Sequence, residues 1–173
     1  PNECFYCYSQ SYEFVPSWGT VAYYENTLER LRAELPRMKK KPELVYLSTY
    51  SEPFLPIEQI LSAQFEIMKM LLEQKVRVLI STKGKIPHRF VSLFAEYPGM
   101  VHVQVGITTV DDRVRELIEP NASSVADRLD NLKRLRGSGV SVEARIDPLI
   151  PGLTDSNESL DSLMREIVKC GVG

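Results

Sequence analysis

The sequence predicts an α/β fold, a partial (β/α) barrel in which parallel strands carry outer helices. Short β-rich apolar runs alternate with longer segments of helical periodicity. No hairpin signal joins one run to the next, so each connection reads as a βαβ crossover. The first run, "ELVYLSTY", is apolar at consecutive residues, as a strand covered on both faces is. At 173 residues the chain is long enough for one sizeable core, read as a single domain over 1–173. It starts in a loop that leads into a helix, and its final Val172-Gly173 reads as the first step of another strand. The expectation is therefore an internal piece of a larger barrel, truncated at both ends.

The elements follow in order. Residues 21–38 read as an amphipathic helix with Leu28, Leu31 and Leu35 on one face, and "ELVYLSTY" (43–50) as the first strand. Pro56 suits the first turn of the next helix, in which Ile57, Ile60, Leu61, Met68, Leu71 and Leu72 recur at helical spacing. "KVRVLISTK" (75–83) is a strand, and 86–97 a helix closed by Pro98 and Gly99. "VHVQVGITT" (101–109) is a strand, followed by a short helix that Pro120 stops. Ser124 and Asp127 have the spacing of a capping box at the start of the next helix, which Gly137 and Gly139 close. "VSVEARIDPLI" (140–150) is the fourth strand, and 156–171 the last helix. In such a barrel the chemistry gathers where the βα loops leave the C-terminal ends of the strands. Those loops here are "TYSEP", "STKGK", "GITTVDD" and "RIDPLIPGLTD", with "CFYC" before the first helix.

Composition narrows the function classes. Net charge is −2 and the basic residues are scattered apart from Lys39, Lys40 and Lys41, which read as a solvated helix end. That is not the footprint of a protein that binds nucleic acid over its whole surface. No apolar run approaches the ~18 residues of a membrane helix, and no signal peptide is visible. Three cysteines do not make a disulfide scaffold, which points to a reducing, cytoplasmic setting.

The opening "PNECFYC" places Cys4 and Cys7 three residues apart around Phe5 and Tyr6. A lone CxxC is half a zinc site, a redox pair, two ligands of a cluster, or two packed thiols. The other zinc candidates, Cys170, His88 and His102, are scattered by the strand–helix reading. A dithiol of the thioredoxin kind would instead follow a strand.

The whole chain resembles the radical S-adenosylmethionine (SAM) superfamily, and within it the branch that contains spore photoproduct lyase. That family's motif is CxxxCxxC with an aromatic residue before the last cysteine. "PNECFYC" matches its last two cysteines, with Tyr6 as the aromatic, and the first would stand immediately before Pro1. "LVYLSTYSEPFLPIE" is similar to the segment carrying the family's GGE-type motif, and "LISTKGKIPHRFVSLF" to the branch's STK-containing strand and helix. The stretch from "VQVGITT" to "ARIDPLIPGLTD" looks like its strand–helix–strand ending in a PxIPG loop. What the resemblance implies is an enzyme whose [4Fe–4S] cluster, held through Cys4 and Cys7, reduces SAM to methionine and a 5′-deoxyadenosyl radical that takes hydrogen from a substrate. It also implies an electron donor such as flavodoxin or ferredoxin.

The resemblance also suggests the SAM-binding residues. Glu52, in Ser51-Glu52-Pro53 where the family has two glycines and a glutamate, would meet the methionine ammonium; the alternative is a solvated loop glutamate. Lys83, at a strand mouth, suits the SAM carboxylate or reaches solvent. Thr108 and Thr109 would bind ribose or cap the next turn. Arg145, within an apolar strand, needs an anion, either the SAM carboxylate or a neighbour such as Glu143. Ile150 would pack on adenine or belong to the core, and Tyr6 and Tyr8 would line the adenine or substrate side. Asp111 and Asp112 read as helix-start acids, and Cys170 as a packed thiol. A nucleic-acid substrate follows from the lyase by analogy alone, and the acidic balance does not support it. The second function class is a non-catalytic iron–sulfur or zinc-binding module of the same fold. A cysteine immediately before Pro1 would favour the enzyme.

Overall fold

In the computed structural model, which describes residues 2–13, 15–17 and 19–172, four strands form one sheet in the order β1-β2-β3-β4. They are β1 (Leu44–Leu47), β2 (Arg77–Thr82), β3 (Val101–Gly106) and β4 (Ser141–Arg145). Every pairing is parallel: Val45 lies opposite Val78, Ile80 opposite Val103, and Val105 opposite Ala144. Helices fill the connections: α1 (Thr27–Glu34) before β1, α2 (Glu58–Glu73), α3 (His88–Ala95), α4 (Asp112–Ile118) and α5 (Val125–Gly137) between strands, and α6 (Asn157–Lys169) after β4. Strand order that follows the chain without reversal is that of a singly wound barrel wall; a doubly wound sheet reverses at a switch point. The expected partial (β/α) barrel is the observed architecture.

Alternation along the strands decides which face is core. Val78, Ile80 and Thr82 of β2, and Val101, Val103 and Val105 of β3, turn to the buried face. There they meet Met68, Leu71 and Leu72 of α2, Phe90 and Phe94 of α3, and Leu132 and Leu135 of α5. Phe90 is fully enclosed, edge-on to Phe54 at 5.0 Å and to Phe65 at 5.4 Å. The opposite face corrects the expectation of strands covered on both sides. It carries Tyr46, Ser81, His102, Gln104, Glu143 and Arg145, and it is half-buried to exposed. Hydrogen bonds link these side chains from strand to strand: Tyr46 Oη with Ser81 Oγ at 2.7 Å, Ser81 Oγ to Gln104 Oε1 at 2.8 Å, and Gln104 Nε2 to Glu143 Oε1 at 2.7 Å. Tyrosine, serine, histidine, glutamine and glutamate alternate with the apolar residues of these strands, the period-2 pattern of a sheet covered on one face.

Element ends follow local chemistry. Ser124 Oγ accepts from Asp127 N–H and its hydroxyl donates to Asp127 Oδ2, so Ser124 caps α5 at the expected position, with the aspartate meeting its hydroxyl in place of its backbone N–H. Asp111 caps α4 by accepting from Arg113 N–H at 2.8 Å, and Ser156 caps α6. Several expected boundaries shift: the third strand ends at Gly106 instead of 109, and the fourth at Arg145 instead of 150. The first helix begins at Thr27 instead of residue 21, and Pro36 falls in a 3-10 turn, Leu35–Arg37, that follows it. β1 stops at Leu47 because Ser48 takes a positive φ of 63°. Pro56 precedes α2 instead of entering it; the extended Ile57 is the N-cap. Val172 is buried but belongs to no strand, and Gly173 lies outside the described residues.

Phe90 ties α3 to α2 through Phe65 and to the loop after β1 through Phe54. Truncating it to alanine in the intact protein is expected to cost about 3–5 kcal/mol of stability, read as a lower midpoint in urea unfolding followed by circular dichroism.

Candidate functional site

The cysteine loop is a turn followed by a short 3-10 helix, Tyr8–Ser11, which the periodicity did not reveal. Cys7 N–H donates to Cys4 C=O at 3.0 Å, closing the turn, and Gln10 Nε2 donates to the same carbonyl at 2.8 Å. Cys4 is buried, Cys7 half-buried, and both are free thiols; Cys7 Sγ lies 2.9 Å from Ser9 Oγ. The loop docks on the rest of the chain through Phe5 N–H to Ile118 C=O and Asn121 N–H to Asn2 C=O.

Beneath Cys4 lies a buried charged group. Glu119 is fully enclosed, with Lys83 Nζ 2.9 Å from its Oε1 and Arg128 Nη2 2.6 Å from its Oε2. The Tyr6 hydroxyl accepts from Lys83 and donates to Glu119. Lys83 Nζ also stands 4.0 Å from Cys4 Sγ and 4.5 Å from the centre of the Tyr6 ring. Arg128, itself 1% exposed, donates to Gly106 C=O at 2.9 Å and to Ser123 C=O at 2.9 Å, so it fastens the end of β3 to α5. Burial alone would raise the Glu119 carboxyl, but Arg128, Lys83 and the Tyr6 hydroxyl together hold it below its usual value. Burial, followed by the Glu119 carboxylate, pushes the Tyr6 phenol far up, so it stays protonated. Burial also raises the Cys4 thiol, against the pull of Lys83.

Glu52 is 5% exposed and accepts four hydrogen bonds: from Thr82 Oγ1 at 2.5 Å, Lys83 N at 2.9 Å, Phe54 N at 3.0 Å and Asn2 Nδ2 at 3.2 Å. It therefore joins the loop after β1, the end of β2 and the cysteine loop. The alternative of a solvated loop glutamate does not hold. Two glycines make room here. A Cβ on Gly84 would stand 2.8 Å from Glu52 Oε1, and one on Gly106 would stand 3.0 Å from both Lys83 Cε and Cγ.

The other expected site residues divide. Thr108 is 1% exposed, and its Oγ1 has no hydrogen-bond partner among the described residues. Thr109 is buried, and its hydroxyl accepts from Asp111 N–H at 3.1 Å, a turn cap. Arg145 corrects an expectation: it is exposed on the open face, not enclosed in an apolar strand, and takes Asp147 as its anion at 2.8 Å. It also approaches Tyr46 Oη and Gln104 Oε1, each at 3.4 Å. Ile150 is half-buried, its N–H bonded to Thr154 Oγ1 at 2.8 Å. Tyr8 is exposed and donates to Thr49 C=O at 2.8 Å. Cys170 is a packed thiol near Glu166 C=O. No group of three or more His, Cys, Asp or Glu placed to hold a metal ion occurs among the described residues, so Cys170, His88 and His102 do not gather around Cys4 and Cys7. Glu119 and Arg128 escaped the sequence reading. Glu119 stood at the end of a short helix and Arg128 in a helix full of charges, and only the fold brings them beside Lys83.

The model of the radical SAM superfamily matches residues 1–165. The chain belongs to the radical SAM superfamily. Among curated relatives, this radical SAM chain is 27% identical over 158 residues to the uncharacterised protein ORF301 of Acidianus two-tailed virus, covering 90% of this chain and 52% of that one. It is 23% identical over 156 residues to a protein of Pseudomonas phage M6 named radical SAM Nalpha-GlyT isomerase, covering 90% of this chain and 32% of that one. The chain thus spans about half the length, or less, of these relatives. Its fold is similar to that of a spore photoproduct lyase mutant with bound AdoMet and dinucleoside spore photoproduct, at a TM-score of 0.71 and 16% identity, over 96% of this chain and 48% of that one. Among the described residues no helix is long and apolar enough to cross a membrane.

Glu119→Gln removes the anion that two buried cations share. The variant is expected to lose about 3–5 kcal/mol at pH 7, measured by urea unfolding. Because the folded-state carboxyl is held low, its contribution is complete above 4.5 and fades as pH falls through the folded-state value. The gap between wild type and variant should accordingly narrow on acidification below 4.5.

Proposed function

We propose that the full-length protein is a radical SAM enzyme that holds a [4Fe–4S] cluster through Cys4 and Cys7, with a third thiolate from the residue that the CxxxCxxC resemblance puts before Pro1. The observation that carries this reading is the cysteine turn itself, which holds two free thiols, with Cys4 Sγ 4.0 Å from the half-buried Lys83 ammonium, in a chain whose family model spans residues 1–165. The donor chemistry fits, since soft thiolates are what iron–sulfur clusters take. When bound, the cluster supplies the electron that splits SAM into methionine and a 5′-deoxyadenosyl radical. A small electron-transfer protein such as flavodoxin or ferredoxin would reduce it.

The chain's own residues have narrower tasks. Thr108 offers SAM a buried hydroxyl at the end of β3 that no described residue uses, suited to a ribose oxygen. Arg145 offers a guanidinium on the open face of the sheet, with Thr109 and Ile150 framing the neighbouring loops. Tyr6 places an aromatic ring beside the cysteines. We assign Glu52 to holding the loops together instead of to the methionine ammonium, because four internal donors already take its oxygens. The enzyme's hydrogen donor is proposed to be a nucleic-acid lesion. The spore photoproduct lyase neighbour carries a dinucleoside, and this is an analogy of fold.

Anaerobic reconstitution of the full-length protein with iron and sulfide should give the visible absorbance of a [4Fe–4S] cluster, and added SAM and dithionite should give 5′-deoxyadenosine. Cys4→Ala should abolish both. Full iron content and normal 5′-deoxyadenosine formation in that variant would overturn the reading.

A further inference from the structure

We infer that Lys83 acts on the cluster directly, as a fixed positive charge at the Cys4 sulfur that raises the cluster's reduction potential, with Glu119 and Arg128 as the buried support that holds it there. This rests on the proposed ligation by Cys4. The strand-end position of Lys83 alone suggests a different task, a flexible cation that reaches out to the SAM carboxylate, and the geometry opposes that. Its ammonium has three hydrogens. One is taken by the Glu119 carboxylate at 2.9 Å and another by the Tyr6 hydroxyl, and the sulfur of Cys4 stands at 4.0 Å. The side chain is only 20% exposed, and the bare backbone of Gly106 lets it lie flat over β3.

The surrounding charges support a standing field at the sulfur. Glu119 is shared between Lys83 and Arg128, so these three side chains together carry a net single positive charge, and Lys83 is the member within reach of Cys4. Glu52, the other carboxylate nearby, meets the Lys83 backbone N–H and is saturated by donors. A cation or hydrogen-bond donor at a ligating thiolate stabilises the more negative, reduced cluster, and net charge and hydrogen bonds to sulfur are the means by which proteins set such potentials. The low local dielectric around a fully enclosed Glu119 strengthens the effect.

The test is a redox titration of the reconstituted full-length protein without SAM, following the cluster by absorbance and electron paramagnetic resonance. Lys83→Met keeps the length and packing of the side chain and removes its charge; Lys83→Arg keeps the charge. Lys83→Met should shift the midpoint potential to more negative values while Lys83→Arg stays near wild type. If Lys83→Met fails to take up a cluster, the lysine serves folding or assembly instead of the potential, and the inference is overturned. An unchanged midpoint in Lys83→Met, or a shift that arises only when SAM is added, would also overturn it. Failure of the wild-type protein to take up a cluster would overturn the ligation by Cys4 as well, which separates the two claims.

Discussion

The enclosed carboxylate of Glu119 is the constraint around which the site is built. A carboxylate without water is tolerable only with charged partners close by, and here Lys83 and Arg128 occupy its two oxygens. Each partner arrives from a different part of the fold: Lys83 from just past β2, and Arg128 from α5. Arg128 also bonds the last carbonyl of β3. One anion therefore fixes the relative positions of two strand ends, a helix and, through Tyr6, the cysteine loop. Because the group is buried, removing one member leaves the others uncompensated, which makes its geometry stiff.

Glu52 does the same for the neighbouring loops with neutral donors. Its oxygens draw together Thr82, Phe54, Lys83 and Asn2, so the segment before the cysteines is tied to the sheet. The two glutamates work from opposite ends of Lys83, one on its ammonium and the other on its backbone amide. That lysine is thereby anchored at both its ammonium and its backbone. Radical chemistry benefits from such rigidity, since a reactive centre must meet its target and nothing else.

Much of the fold was legible in the sequence because strand and helix periods differ, and because parallel strands need long crossovers that leave room for full helices. Ser124, Asp127, Asp111 and Gly139 mark their element ends through chemistry confined to a few residues. What escaped the sequence depends on the third dimension. "VHVQVG" alternates valine with polar residues, but only the fold shows that His102 and Gln104 face an uncovered surface while the valines between them face the helices. Arg145 looked enclosed until the fold placed it on that same face. Glu119 and Arg128 could not be singled out, since a glutamate before a proline and an arginine in a charged helix are ordinary in a chain with 23 acidic and 21 basic residues. Of the expected site, Lys83, Tyr6 and Cys4 do meet, whereas Arg145 lies on the open face with Asp147.

Gly84 and Gly106 have a consequence for how such a site can drift over generations. At most positions in a strand or loop, neutral exchange among small residues is free, because the neighbours yield by a few tenths of an ångström. At these two, the nearest atoms belong to Glu52 and Lys83, which hydrogen bonds and ion pairs hold in place. One added methyl group would have to move a charge. The lineage can exchange many of its valines and leucines for one another, but its record of substitutions at positions 84 and 106 should be nearly silent, and that silence would reflect the stiffness of the side chains opposite.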